Sequence, residues 1–234
     1  MTWSIIARDP ATGRIGIAVA TRFFAVGARV PYIAAGFGGI ATQAMVNPYL
    51  GIDGLMLLRE GKPPRDIIAT LIAADPGRES RQLHIMDGSG RVAAHTGQDC
   101  IGWCGHIEGD GFSIAGNMLA GAGVLQQTAD AYLATASLPF AQRLIAAMQA
   151  GEAAGGDKRG RQSAALLIHG AEEWSELDLR VDDHSDPLAE LERLEQVSRA
   201  HWVPFRATMP TRKNPGGITD RAVIDATVAA TGKL

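Results

Sequence analysis

The second residue of this chain carries the two groups from which a self-activating nucleophile can be built. Removal of Met1 would leave Thr2 with a side-chain hydroxyl and a free α-amine on the same residue. Such an amine can take the hydroxyl proton as the oxygen attacks a carbonyl carbon. Ser4 lies on the same face of the predicted first strand and is expected to line the same site. If Met1 is retained, Thr2 is an ordinary strand residue.

A second group of candidates surrounds the predicted start of a helix. Asn47 precedes Pro48, and proline favours the first helical turn. Backbone N–H groups point outward at such a start and can stabilise an oxyanion. Gln43 and the Asn47 amide are candidate partners there, and Asn117, which follows a predicted strand, is the other candidate oxyanion donor. The alternative is that Asn47 only caps the helix.

A glycine-flanked basic segment, residues 155–163, forms a predicted loop before a buried strand. Its last residues lie at the mouth of that strand, where a guanidinium can bind a substrate carboxylate through two hydrogen bonds. The basic Lys158 and Arg159 are interpreted as solvated. The residues of this loop expected to bind substrate are Asp157, Arg161, Gln162 and Ser163.

Two clusters contain residue types that bind metals or act as nucleophiles. Consecutive residues of the extended segment 182–184 point to opposite faces, which disfavours a metal site and leaves His184 as a candidate for orienting substrate. Cys100, Cys104 and His106 lack the second pair of ligands that zinc usually needs. A cysteine hydrolase remains an alternative, and buried structural thiols are the favoured interpretation.

The apolar patterning predicts runs of strands that alternate with helices. An opening hairpin joins residues 2–8 to residues 14–20 about a turn at 9–13. Further strands are predicted at 30–35, 40–44, 82–86, 91–95, 112–116, 164–168 and 174–181. Helices are predicted at 48–60, 63–74, 124–134, 139–150, 188–197 and 218–231, with a loop at 204–217. In the helix at 188–197, Leu194 and Val197 are expected to be buried, with Glu195 facing water.

This order predicts an α+β fold, a four-layer α/β/β/α sandwich of two mainly antiparallel sheets with helices outside. The 234 residues are expected to form a single domain, 1–234. Hydrophobic residues make up 46% of the chain, enough for a sizeable core.

Composition also excludes several functional classes. The net charge is −3 and the arginines are scattered among acids, which predicts no binding to nucleic acid. No apolar run is long enough to span a membrane, and the N-terminus has no signal-peptide pattern. The two cysteines favour a reduced, cytoplasmic protein.

Several motifs, in this order, identify the chain as similar to one family. They are the hairpin, Ala41-Thr42-Gln43-Ala44 with Asn47-Pro48, the run from Gly155 to Ala164, and Leu179-Arg180-Val181-Asp182-Asp183-His184 with Asp186-Pro187. These motifs resemble "domain of unknown function 1028", a bacterial and archaeal family that is grouped with the N-terminal-nucleophile (Ntn) hydrolases. The resemblance covers nearly the whole chain.

The resemblance implies an amide hydrolase with a catalytic first residue on the α/β/β/α fold. Proteasome-type relatives carry a lysine that lowers the pKa of the α-amine, but the first lysine here, Lys62, lies in a predicted turn. Arg22 or Arg29 is therefore expected to provide the charge, because a nearby cation disfavours the ammonium form. A free α-amine has an ordinary pKa of about 7.7–8.0, so a modest reduction is sufficient.

The sequence thus predicts an Ntn amidohydrolase that cleaves a small-molecule or peptide-like amide through an acyl-enzyme. The expected catalytic residues are Thr2, Arg22, Asn47 and Asn117. The protein is expected to need no metal or cofactor and to form a homodimer. The alternatives are a non-catalytic ligand-binding protein of the same fold and a hydrolase that uses Cys100 or Cys104.

Overall fold

The computed structural model describes residues 2–231, and the chain divides into two compact units. The first unit is Met1–Leu191 and the second is Glu192–Leu234. The single domain expected from the sequence stays a prediction.

The strands all belong to the first unit. They are β1 (Thr2–Arg8), β2 (Ile15–Thr21), β3 (Pro31–Ala34), β4 (Gly38–Ala44), β5 (Arg81–Asp87), β6 (Val92–Thr96), β7 (Trp103–Gly109), β8 (Phe112–Leu119), β9 (Ser163–His169) and β10 (Leu177–Val181).

The part of the chain that the structure describes contains seven α-helices. They are α1 (Pro48–Arg59), α2 (Pro64–Ala74), α3 (Gly123–Ala134), α4 (Phe140–Ala153), α5 (Pro187–Ala200), α6 (Trp202–Arg206) and α7 (Arg221–Thr231). Two short 3₁₀ turns lie at Val26–Ala28 and Arg78–Ser80. Among residues 2–231, none of these helices has the length and apolar character needed to cross a bilayer.

The strands form two antiparallel sheets. The larger sheet has the order β10-β9-β2-β1-β8-β7, so β1 is a central strand between β2 and β8. The smaller sheet has the order β3-β4-β5-β6. The fold is therefore α+β with two antiparallel sheets, as expected from the sequence.

The inner faces of the two sheets meet, and their contact has an apolar and a polar part. Ile6, Ile17 and Met86 belong to a buried apolar cluster that joins both sheets. Toward the start of β1, Ser4 instead donates a hydrogen bond to Gln43 Oε1 of the smaller sheet at 2.7 Å. The polar part of the interface thus begins close to Thr2.

Helices pack closely against strands of both sheets. A Cβ at Gly16 of β2 would lie 2.6 Å from Leu144 of α4. A Cβ at Gly54 of α1 would lie 2.8 Å from Ile40 of β4. Glycine at these positions lets helix and strand backbones approach each other, since even a methyl group would overlap the neighbouring side chain.

Most predicted elements agree with the structure, and three local predictions are wrong. Strand β7 was not expected, because its residues are half-buried or exposed and lack an apolar alternation. Helix α6 occupies part of the predicted loop 204–217. In α5, Val197 is 55% exposed whereas Glu195 is buried and forms an ion pair with Arg199, one turn further along the helix.

Candidate functional site

Four polar residues form a row across the same end of four adjacent strands. Thr2 of β1 lies opposite Asn117 of β8, and Thr21 of β2 lies opposite Ser163 of β9. The Thr2 hydroxyl donates a hydrogen bond to the Thr21 hydroxyl at 3.2 Å, which joins the two pairs. Residues that face each other across antiparallel strands project to the same side, so this row faces the smaller sheet.

A cleft of about 380 Å³ opens beside this row, and Thr2 lines it. Thr2 itself is only 7% exposed. A volume of this size is within the range of small-molecule sites, roughly 300–1,000 Å³. The other lining residues come from the segments after β2 and β4 and from the start of α1: Phe23, Val26, Arg29, Val30, Ala44, Met45, Val46 and Pro48.

Of the two arginines expected to supply positive charge, Arg29 lines the cleft and Arg22 does not. The Arg22 guanidinium donates to the backbone carbonyl of Arg159, in the loop before β9. The positive charge of Arg29 also affects the pKa of the Tyr32 side chain. Burial raises the pKa of Tyr32, and the charge of Arg29 partly opposes that rise. The structure therefore favours Arg29 as the cation of the cleft.

Asn47 caps α1, the alternative considered for it above. Its Oδ1 accepts a hydrogen bond from the Tyr49 N–H at 3.1 Å, and its Nδ2 donates to Asp75 at 3.2 Å. A hydrogen bond from Arg81 lowers the pKa of Asp75, which keeps that acceptor ionised. Both ends of the Asn47 amide are therefore hydrogen-bonded within the protein. In this geometry Asn47 is not positioned to donate to a substrate oxyanion.

Ser4 and Gln43, expected to contact substrate, lie in the closed interior between the sheets. Both are fully buried. Ser4 contacts Gln43 and also the Nε2 atom of His84, at 2.8 Å. Gln43 Nε2 donates to Gln82 Oε1 at 2.9 Å and to the Ala115 carbonyl at 3.1 Å. The structure does not bring these two side chains to the cleft.

The same interior network fixes the orientation of Asn117. Its Nδ2 donates to Gln82 Oε1 at 2.9 Å. Gln82 is itself held, because its Nε2 donates to the Gly116 carbonyl at 2.8 Å. One of the two Nδ2 hydrogens of Asn117 is therefore donated to Gln82. The Oδ1 atom is the end of the amide that can accept a hydrogen bond from a neighbour such as Thr2.

Asp157 is a buried anchor between the strands that flank β1. Its carboxylate accepts from the Arg22 N–H at 2.8 Å, at the end of β2, and pairs with the Arg159 guanidinium at 3.1 Å. An isolated β-bridge also joins Asp157 to Leu119, at the end of β8. The Asp157 carboxylate therefore binds protein groups, and Asp157 connects the ends of β2 and β8, the strands on both sides of Thr2.

Ser163 supports the wall of the cleft. Its hydroxyl donates to the Phe23 carbonyl and accepts from the Val26 N–H at 3.2 Å. Phe23 and Val26 both line the cleft. Ala25, between them, has a φ of +54°, a conformation that non-glycine residues rarely adopt. Ser163 thus contributes to the shape of the cleft and is not among the residues that line it.

The other three residues expected to bind substrate, Arg161, Gln162 and His184, form hydrogen bonds or ion pairs with protein groups. Arg161 pairs with Glu152 at 2.6 Å and with Asp186 at 3.0 Å, and the hydrogen bond to Glu152 raises the pKa of Arg161. Gln162 donates to Asp183 at 3.2 Å. His184 Nδ1 accepts from the Asp186 N–H at 3.0 Å. None of the three lines the cleft described above.

Neither cysteine lines the cleft, and Cys100 is poorly suited to nucleophilic chemistry. Burial raises the pKa of the Cys100 thiol to about 11, with the neighbouring Cys104 as the second cause. At neutral pH this thiol is protonated, and the thiolate is the nucleophilic form. Within residues 2–231, no group of three or more histidine, cysteine or acidic side chains is arranged to hold a metal ion.

The buried polar network was missed at the level of sequence. Gln82 and His84 alternate with Leu83 and Ile85 along β5, and both polar residues are fully buried. Burial lowers the pKa of His84 to about 3, with the charge of His106 as the second cause. Two polar residues spaced by two in an otherwise apolar strand were the available signal for an inward-facing polar layer.

Comparisons with known proteins agree with the resemblance noted from the motifs. A search of curated proteins found no significant match. The crystal structure of protein SPO2555 from Silicibacter pomeroyi, described as a DUF1028 protein, is similar with a TM-score of 0.87 and 35% identity, over 94% of this chain and 96% of that one. Anbu (ancestral beta-subunit) from Yersinia bercovieri is a weak match, with a TM-score of 0.41 and 12% identity over 89% of this chain and 98% of that one.

The family match covers most of the first unit. The family model described as "Family of unknown function (DUF1028)" matches residues 2–191. This range includes the row across the four strands and every residue that lines the cleft. The chain therefore belongs to the DUF1028 family.

Proposed function

We propose that this chain is an N-terminal-nucleophile amidohydrolase with Thr2 as its nucleophile, on an α/β/β/α arrangement of the elements described above. Removal of Met1 gives Thr2 its free α-amine. The substrate is a small-molecule or peptide-like amide whose acyl part enters the cleft.

The reaction follows from the two groups on Thr2. The α-amine takes the proton from Oγ1 as that oxygen forms a bond to the amide carbonyl carbon. The tetrahedral intermediate collapses, the C–N bond breaks, and the leaving amine receives the proton from the α-ammonium. Water, deprotonated by the α-amine, then attacks the ester carbonyl carbon. The C–Oγ1 bond breaks, the acid is released, and the α-ammonium returns its proton to Thr2 Oγ1.

Two neighbours are assigned to the α-amine in this proposal. Arg29 lines the same cleft and favours the neutral amine by charge repulsion. Asn117 lies opposite Thr2 in the strand register, and Gln82 orients its amide. Asn117 Oδ1 is therefore proposed to accept a hydrogen bond from the amine. Backbone N–H groups of the cleft wall are proposed as oxyanion donors.

The observation that carries the proposal is the position of Thr2. It is the first residue of a central strand, it lines a cleft of ligand size, and its hydroxyl is hydrogen-bonded to Thr21. The raised pKa of Cys100 argues against that thiol as the nucleophile.

The test is a panel of fluorogenic amides assayed against three variants. Thr2→Ala is expected to lower turnover by at least about 10³-fold because the nucleophile is gone, whereas Thr2→Ser should keep measurable turnover. Thr70→Ala, an exposed threonine of α2, is the matched control and should behave as wild type. Turnover unchanged in Thr2→Ala would contradict the proposal, and a wild type inert toward every amide would favour the non-catalytic ligand-binding alternative.

A further inference from the structure

The cleft beside Thr2 is mostly apolar. Seven of its nine lining residues are apolar: Phe23, Val26, Val30, Ala44, Met45, Val46 and Pro48. Phe23 and Met45 are 58% and 65% exposed, so apolar area at this site faces solvent. Burial of such area by a ligand is favourable, about 25 cal/mol per Å². The site therefore suits an apolar group close to the Thr2 hydroxyl.

Among residues 2–231, Arg29 is the one residue with a charged side chain that lines the cleft. Within residues 2–231, no ion pair joins Arg29 to an acidic side chain, and none of these residues that line the cleft is acidic. The cleft thus combines an apolar wall with an anion-attracting rim.

The wall is held in shape before any ligand arrives. Ser163 contacts both Phe23 and Val26, and the Ala25 N–H donates to the Asp182 carbonyl at 3.0 Å. Ala44, on the opposite segment, has a φ of +67°. Backbone conformations of this kind persist where the surrounding structure imposes them, often at ligand sites. A preorganised wall favours discrimination between ligands.

We infer, on the basis of the proposed function, that the substrate is an amide whose acyl part is an apolar chain bearing a carboxylate, and that Arg29 binds this carboxylate. A guanidinium can donate two parallel hydrogen bonds to a carboxylate, which fixes the direction of the acyl chain as well as its charge. The apolar part of the acyl chain packs against the wall, and the amide carbonyl lies at Thr2. Arg29 is thus a specificity-determining residue.

The experiment measures binding and turnover with the same probes. These are coumarin amides of ω-carboxyalkanoic acids of graded chain length, each paired with the plain alkanoyl amide of equal length. The Thr2→Ala protein, which cannot cleave them in the proposed mechanism, is titrated by fluorescence. We expect the best carboxylated probe to bind at least about 10-fold more tightly than its neutral partner, and salt near 1 M to reduce this preference.

Variants of Arg29 then identify the cation. In the Thr2→Ala background, Arg29→Gln should abolish the preference for the carboxylate, and Arg29→Lys should keep part of it. Arg65→Gln, which removes an exposed arginine of α2 away from the cleft lining, should keep the full preference. Equal binding of the two probe series, no binding of either, or a preference that survives Arg29→Gln would overturn the inference.

The outcomes separate the two proposals. An Arg29-dependent preference without Thr2-dependent turnover in the wild type would retain the ligand class and overturn the proposed function. Thr2-dependent turnover with equal rates for carboxylated and neutral probes would retain the proposed function and overturn this inference.

Discussion

The hydrogen bonds around His84 can all form at once with only one tautomer of its ring. Gln43 Nε2 must donate to the Ala115 carbonyl, so Gln43 Oε1 accepts from Ser4. The single Ser4 proton is then used, and Ser4 Oγ accepts from His84 Nε2–H at 2.8 Å. His84 Nδ1 is left to accept from Ser113, at 3.0 Å. The network therefore runs in one direction, from Ser113 toward Gln43.

This direction gives a spectroscopic prediction. Nitrogen-15 NMR of the ring should show the Nε2–H tautomer of His84, and the ring should stay neutral down to about pH 5 because burial lowers its pKa to about 3. Ser113→Ala removes the donor to Nδ1 and should shift that nitrogen resonance most. An Nδ1–H tautomer, or a His84 ring that titrates above about pH 6, would contradict the arrangement.

Asp157 gives a second prediction at the level of the residue. Asp157→Asn places an amide nitrogen or a neutral oxygen against the Arg22 N–H and removes the charge that faces Arg159. A buried charge-assisted hydrogen bond is worth roughly 1.5–3 kcal/mol, so the free energy of unfolding should fall by about that amount. Amide hydrogen exchange at Arg22 should quicken, because its acceptor is weakened.

Asp130→Asn is the matched control for this prediction. Asp130 is an exposed residue of α3 that accepts a hydrogen bond from Gln126, one turn earlier. Its replacement should change the unfolding free energy by less than about 0.5 kcal/mol. Equal losses in the two variants would mean that Asp157 does not anchor the flanking strands.

At the scale of the elements, close backbone approach decides where helices lie on the sheets. A Cβ at Gly51 of α1 would lie 2.4 Å from the Tyr32 ring of β3, well inside van der Waals contact. The helix-propensity gain of alanine over glycine, about 1 kcal/mol, is opposed by overpacking of about 1–3 kcal/mol. Gly51→Ala should therefore destabilise the protein, or at best leave its stability unchanged, in urea denaturation.

Gly123→Ala is the corresponding change without the steric conflict. Gly123 is the first residue of α3, and a Cβ there would meet no atom within 4 Å. Alanine should stabilise the protein by roughly 0.4–1 kcal/mol, because it restricts the unfolded chain. A Gly51→Ala protein as stable as Gly123→Ala would refute the packing argument.

The sequence predicted the elements better than the contacts of the candidate site. Strand β1 and the β1–β2 hairpin follow from local apolar patterning and an Asp-Pro turn, which act within a few residues. Asp157 has one local partner, Arg159, but its other partner, the Arg22 N–H, and both partners of Ser163, Phe23 and Val26, lie far away in the chain. Local patterns do not encode such pairings, so these residues were interpreted as substrate ligands, whereas the structure shows them bound to the protein.

At the scale of the whole molecule, a neutral buried histidine makes stability depend on pH. The pKa of His84 falls from 6.5 in the unfolded chain to about 3 in the fold, so the unfolded state binds the extra proton between these values. The stabilisation is complete above pH 6.5 and is lost as the pH falls toward 3. One such group contributes a slope of up to about 1.4 kcal/mol per pH unit in that range.

The corresponding measurement compares urea denaturation of the wild type and His84→Gln from about pH 7 to about pH 4.5. The variant should be less stable at neutral pH, because it loses two hydrogen bonds, and its stability should fall less steeply with acid. Parallel pH profiles would show that His84 is not the group responsible.

The homodimer expected from the sequence stays a prediction, as does the amide substrate.

The most direct test of the nucleophile is mass spectrometry of the N-terminal peptide after incubation with an acylating β-lactone. The strained ester should transfer its acyl group to the Thr2 hydroxyl, and an acid quench after a short incubation should trap this ester, because the α-amine that activates water is then protonated. We predict a peptide that begins at Thr2 and carries the acyl group on that residue. A peptide that begins at Met1, or one that begins at Thr2 and stays unmodified while the label lies elsewhere, would contradict the assignment of Thr2.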